Sequence, residues 1–164
     1  MHPNARKIEE FYQAFQRRDA AAMGACYADD VAFSDPVFPS LRGEEARAMW
    51  RMLCERGKDL ALTFDGVEAD DRAGRARWVA RYTFGVTGRK VENRIQAEFT
   101  FEHGKIATHR DTFSFWRWAR QALGPAGLLL GWTPLIRGKV RAQAAKGLAA
   151  FREKGSADPS RGGR

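Results

Sequence analysis

Three ionisable residues stand where alternation would place apolar side chains, and together they have the chemistry of proton transfer. Val31, Phe33 and Asp35 alternate with Ala32 and Ser34, so an extended chain puts all three on one face. Asp35 then points into the core, where a carboxylate is costly unless it is paired, hydrogen-bonded or protonated. Pro36 follows, lacks an N–H for a ladder and ends the strand at a rim. On a later strand Ala107, His109, Asp111, Phe113 and Phe115 share a face. Its aromatic residues mark that face as the inner one, which places His109 and Asp111 beside Asp35 with their own Cα atoms ~7 Å apart. A histidine and two carboxylates in an aromatic lining form a general acid/base set, because burial lifts a carboxylate toward neutrality and strengthens it as a base. Asp35, His109 and Asp111 are the candidate catalytic residues. Tyr12, Phe15, Phe33, Trp50, Trp78, Tyr82 and Phe113 are the expected pocket lining.

Each candidate also has a structural reading. Asp35 could bond the N–H groups of the loop that follows. His109 could be a packed core histidine, and Asp111 could pair with Arg81 or Arg94, or less well with Arg110 on the opposite face. His109-Arg110-Asp111 matches the kinase catalytic triplet, but no glycine-rich nucleotide loop accompanies it. His2, His103 and His109 lack ligand spacing, so no metal is expected, and proton transfer of this kind requires no cofactor.

The elements that must position these residues fall into two periods. Ile8, Phe11, Tyr12 and Phe15 follow i, i+3, i+4, i+7, which predicts a helix over 4–18 with Asn4 as its N-cap. Asp19 caps a short helix over 20–27. Ala46, Met49, Trp50 and Leu53 predict a third over 44–55, closed by Gly57. From Leu60 the period becomes 2: Trp78, Ala80, Tyr82 and Phe84 form one alternating set, and Val91 through Phe101 form another, before a last strand over 105–115. Helices followed by a meander with one apolar face predict an α+β fold, a curved antiparallel sheet wrapped around three N-terminal helices.

The helix over 4–18, Asp19, Tyr27-Ala28-Asp29-Asp30-Val31, Asp35-Pro36, Leu41-Arg42-Gly43-Glu44-Glu45-Ala46 and the strand Gly104-Lys105-Ile106 to His109-Arg110-Asp111 together resemble the nuclear transport factor 2-like superfamily. The likeness is to its SnoaL-like polyketide cyclase and ketosteroid isomerase-like branch, over roughly the first 115 residues. It implies a cone enclosing an apolar pocket, paired as a homodimer across the outer sheet face. Asp35 falls on the proton-shuttling base of the isomerases. Phe11 meets their enolate-binding Tyr, with Tyr12 adjacent, and Ala97 meets their protonated acid, so the isomerase oxyanion site is missing. Asp111 falls on the final-strand carboxylate of the cyclases and of limonene epoxide hydrolase-like members. The hydrolases need a second Asp and an Arg, which Trp78, Ala80 and Tyr82 do not offer. The implied chemistry is an isomerisation or aldol-type ring closure on a small apolar carbonyl compound; the rival is a non-catalytic binding or interaction module.

Charge separates the chain into regions. Residues 1–111 carry 18 Lys/Arg against 18 Asp/Glu, whereas residues 112–164 carry 10 against 2. A balanced core argues against nucleic acid as a partner, despite a pI of about 10.0. The domain is expected over 1–117, an apolar and basic helical extension over 118–154, and a disordered tail over 155–164. In the extension, Gly127-Leu128-Leu129-Leu130-Gly131-Trp132 is too short and too broken to span a bilayer. Val140, Ala144, Leu148 and Phe151 form a stripe on a basic helix. The extension is either an apolar lid over the pocket mouth or dimer partner, or an interfacial membrane anchor; burial within the protein is the commoner fate, and the lid is expected. Cys26 and Cys54 read as reduced packing residues, and the polar start carries no apolar signal core, so a cytoplasmic location is expected.

Overall fold

The computed structural model describes residues 1–157. Helix α1 spans Pro3–Gln16 and buries Ile8, Phe11, Tyr12 and Phe15, the set its spacing predicts. Its N-cap is His2, not Asn4: the His2 ring accepts from the Asn4 N–H, and Pro3 fills the first turn. Asp19 caps α2, Ala20–Ala25, which ends two residues early because Tyr27 already opens a strand. Helix α3, Glu44–Arg56, ends at Gly57.

Six strands follow the order β2-β1-β6-β5-β4-β3 in one curved, unclosed sheet. They are β1 Tyr27–Ser34, β2 Leu41–Arg42, β3 Ala61–Ala69, β4 Ala73–Phe84, β5 Arg89–Glu102 and β6 Lys105–Thr112. The pairings are antiparallel except β1 with β6, which run parallel because β1 is brought back beside β6 from the start of the chain. The alternation on β5 holds throughout, with Val91, Asn93, Ile95, Ala97, Phe99 and Phe101 all buried under the helices. Helix α1 packs across β3, β4 and β6, so the inner face of the sheet and the helices share one core.

Strand β6 ends at Thr112, earlier than the alternation to Phe115 suggests. Ser114 accepts from the Arg117 N–H and starts helix α4, Phe115–Leu123, which removes Phe113 and Phe115 from the strand. Two more helices follow, α5 Pro125–Leu130 and α6 Pro134–Ala157. The α4 helix therefore crosses the expected boundary at 117, and α6 carries residues 155–157 of the expected disordered tail as helix; residues 158–164 lie outside the described residues. Ile136 and Val140 pack on the α4 cluster, while Ala144, Leu148 and Phe151 pack on the main core. Leu128, Leu129, Leu130, Trp132 and Leu135 remain exposed. Burial against the protein thus describes α4 and one face of α6 but not the tip between them. No helix among the described residues is long and apolar enough to cross a membrane.

Candidate active site

Register brings the final-strand candidates under the helices. His109 pairs with Phe33 on one side and Phe99 on the other, and Asp111 pairs with Ala97. Five aromatic rings surround the imidazole: Phe11, Tyr27, Phe33, Trp50 and Phe99, with Trp50 stacked on it at 5.9 Å between centroids and an interplanar angle of 16°. The His109 side chain has no exposed surface and that of Asp111 keeps 3%.

Polar atoms in so dry a place must satisfy one another. The Trp50 indole N–H donates to the Tyr27 hydroxyl oxygen at 2.8 Å, and Tyr27 Oη lies 2.7 Å from His109 Nδ1. His109 Nε2 lies 2.9 Å from Asp111 Oδ1, which also receives the Trp78 indole N–H at 3.4 Å. An indole can only donate, so the Tyr27 oxygen accepts from Trp50 and its proton is left for Nδ1, while the other ring nitrogen faces the carboxylate. Each nitrogen and hydroxyl along this chain is used. Both polar bonds to Asp111 fall on Oδ1, so Oδ2 is the atom left for another partner.

Burial and this carboxylate act on the neighbouring phenols. Tyr27 and Tyr12 are both held well above the usual tyrosine range, chiefly by desolvation, with the Asp111 charge adding to it. Both stay protonated donors. The Tyr12 hydroxyl is buried without a hydrogen-bond partner, among Phe64, Trp78 and Phe99.

Asp35 occupies the rim. It follows the last residue of β1, and its Oδ1 accepts the N–H groups of Val37 at 2.7 Å and Phe38 at 2.6 Å. The turn-capping geometry is therefore present. Desolvation nonetheless pushes its carboxyl up to about 6; the two backbone bonds pull the other way, and the Asp111 charge adds to the rise. Asp35, His109 and Asp111 thus lie within electrostatic reach of one another, but only His109 and Asp111 are hydrogen-bonded. Tyr82 stands near Asp35, whose charge, after desolvation, raises the phenol; its oxygen accepts the indole N–H of Trp118 from α4 at 2.7 Å. Val37, Tyr82 and Phe113 belong to both core clusters and join α4 to the rim.

Of the expected lining, Tyr12, Phe15, Phe33, Trp50 and Trp78 pack in the main core around this network, whereas Tyr82 and Phe113 lie at its α4 side. Tyr27 is not among the site residues that the sequence predicts. Period-two counting back from Val31 points to it, but a bulge between Tyr27 and Ala32 interrupts the pairing with β6 and leaves Asp29 and Asp30 exposed. Two cavities lie outside the network. One of about 440 Å³ runs between Val37–Leu41 and α6, and another of about 950 Å³ lies between α2, α3 and the β5–β6 turn. Among the described residues no three His, Cys, Asp or Glu side chains converge as a metal site requires.

Comparison with known proteins extends this reading. An NTF2-like protein of unknown function from Burkholderia pseudomallei superposes with a TM-score of 0.65 at 25% identity, over 74% of this chain and 98% of that one. An LEH-like epoxide hydrolase of M. tuberculosis superposes at 0.60 with 22% identity, over 82% and 95%. A candidate polyketide cyclase of Xanthomonas campestris does so at 0.60 with 23% identity, over 73% and 96%. Among curated proteins none matches. At 25% identity or less these likenesses speak for the fold alone, and it is the fold already described: helices under a curved sheet. The family model for the SnoaL-like domain matches residues 8–109, from the first core residue of α1 to the histidine of the buried pair, and the chain belongs to that family, within the NTF2-like superfamily.

Proposed function

We propose that this protein binds a small, largely apolar carbonyl compound and transfers a proton at the carbon beside the carbonyl. The observation that carries the reading is the buried chain Trp50–Tyr27–His109–Asp111, which ends on a carboxylate with one oxygen uncommitted. Tyr27 fixes the imidazole tautomer, His109 orients the carboxylate, and Asp111 Oδ2 takes the proton. Removing that proton leaves an enolate. The same carboxyl, or Asp35, returns the proton to a different atom in an isomerisation; in an aldol-type closure the enolate carbon attacks a second carbonyl, whose oxygen receives it. Asp35, at about 6, exchanges protons readily near neutral pH, as a shuttle at the rim requires.

A second reading is favoured by the packing. Five rings close on His109, and the cavity of about 440 Å³ beside α6 lies apart from it. Binding without turnover fits that arrangement. The test is hydrogen–deuterium exchange at the α-carbon of a panel of apolar cyclic ketones in D₂O, followed by NMR. The wild-type chain is expected to accelerate exchange, and Asp111→Asn to slow it by ~100-fold or more with the fold intact. Exchange that persists in Asp111→Asn and Asp35→Asn alike, or that the wild type never accelerates, overturns proton transfer.

A further inference from the structure

The apolar run of the C-terminal extension faces two ways. Ile136, Val140, Ala144, Leu148 and Phe151 turn to the protein. Leu128, Leu129, Leu130, Trp132 and Leu135 turn outward, exposed by 48%, 69%, 48%, 71% and 65%. Large apolar side chains gathered at one exposed tip mark a contact surface rather than scatter.

The tip is held in this attitude. Helix α5 approaches α4 so closely at Gly127 that a Cβ there would collide with the Ala119 carbonyl oxygen. The Trp116 indole N–H donates to the Leu128 carbonyl at 3.3 Å, and that of Trp132 to the Leu129 carbonyl at 3.0 Å. With its only donor bonded to backbone, Trp132 presents apolar ring to the outside.

The chain that carries the tip holds charge of one sign. Residues 112–152 contain no Asp or Glu. Arg117, Arg120, Arg137 and Lys139 lie on the parts of α4 and α6 next to the tip, whereas farther along α6 Arg141 donates to the Pro36 carbonyl and Arg152 pairs with Glu45. Arg137 lies over the Phe115 ring at 5.2 Å and Arg120 over Trp116 at 5.0 Å, which keeps both cations close to the tip. An apolar tip in a cationic collar complements an anionic bilayer: leucines and tryptophan enter the boundary with the acyl chains while cations meet phosphates. A second copy fits poorly, because pairing two identical tips sets cation against cation. We propose that α5 and the first turn of α6 dock this protein peripherally on an anionic phospholipid surface.

The experiment is flotation of the full chain with vesicles of phosphatidylcholine alone and of phosphatidylcholine and phosphatidylglycerol in equal parts. The mixed vesicles are expected to bind about tenfold or more better, with binding lost as salt is raised. Leu129→Ser with Trp132→Ser, both at exposed positions, is expected to weaken binding by about tenfold or more at an unchanged melting temperature. Three results overturn the proposal: no binding to mixed vesicles, whether or not the chain associates through the tip; equal binding to both vesicles; or full retention by the double variant, which would mean adhesion by charge alone.

Discussion

The two faces of one sheet hold charges in opposite ways. On the inner face His109 and Asp111 lie 2.9 Å apart with 0% and 3% of their side chains exposed. On the outer face Glu92 bridges Arg81 and Arg94, each at 3.0 Å, with 39% of Glu92 and more than half of each arginine exposed. The separations are nearly equal and the surroundings are not. In water the outer attraction is weakened by solvent and salt, and each partner is solvated when the pair opens. Inside, no solvent replaces a lost partner, so the inner pair is costly both to keep and to break. One step of side-chain alternation separates these regimes.

Breaking the inner pair gives the largest expected effect. Asp111→Ala leaves the His109 Nε2 proton and the Trp78 indole N–H without their acceptor, and the expected loss is about 3–5 kcal/mol, read from chemical denaturation. A companion variant sharpens the point. His109→Phe with Asp111→Leu removes both members of the pair and leaves only the Tyr27 hydroxyl and the Trp78 indole N–H without acceptors, so its expected loss is smaller than that of Asp111→Ala. A loss as large as that of Asp111→Ala would show the pair to be a structural requirement, not a functional group retained at a cost.

Asp35 stands between the two regimes, at the rim, and its effect is smaller and depends on pH. Below about pH 4 its carboxyl is protonated in the folded and unfolded chain alike, and the native state bears no penalty. Between about 4 and 6 the unfolded chain releases the proton first, because burial holds the folded group up to about 6, so stability falls as pH rises and levels off above that window. Unscreened, the shift is worth about 3 kcal/mol, and water at the rim reduces it to about 1 kcal/mol. Asp35→Asn keeps an oxygen able to accept from Val37 and Phe38. It is expected to match the wild type at pH 4 and to exceed it by about 1 kcal/mol at pH 7. A variant less stable at both pH values would make Asp35 a turn cap with no burial penalty to relieve.

How far these regimes were legible in the sequence follows from the same alternation. The inner set from Val91 to Phe101 keeps strict parity because β5 is paired on both sides along its length, and every member is buried. His109 and Asp111 were legible for the same reason. Tyr27 was not, since the bulge before Ala32 breaks the count between it and Val31. Phe113 and Phe115 continue the parity of β6 on paper, but Ser114 caps a helix and takes them into the α4 contacts. The split of the extension was legible only in part: the stripe Val140, Ala144, Leu148, Phe151 has helical spacing, whereas the outward turn of Leu128–Leu130 depends on the close approach at Gly127, a contact between helices.

The smallest expected effect belongs to the outer face, and it tests whether that face is free. The two arginines hold the Glu92 carboxyl below its usual range, the Arg81 bond foremost. A lowered group adds stability above its unfolded value and loses it as pH falls through the folded one. Exposure limits how much of that survives in solution. Glu92→Gln is therefore expected to leave the melting temperature at pH 7 within about 1 °C of the wild type, with any residual difference removed by salt. A larger loss that grows with protein concentration would place Glu92 in a contact between copies, where desolvation gives an outer pair the character of an inner one. The homodimer implied by the family resemblance would then be the reason, and the contrast between the two faces would hold only for the isolated chain.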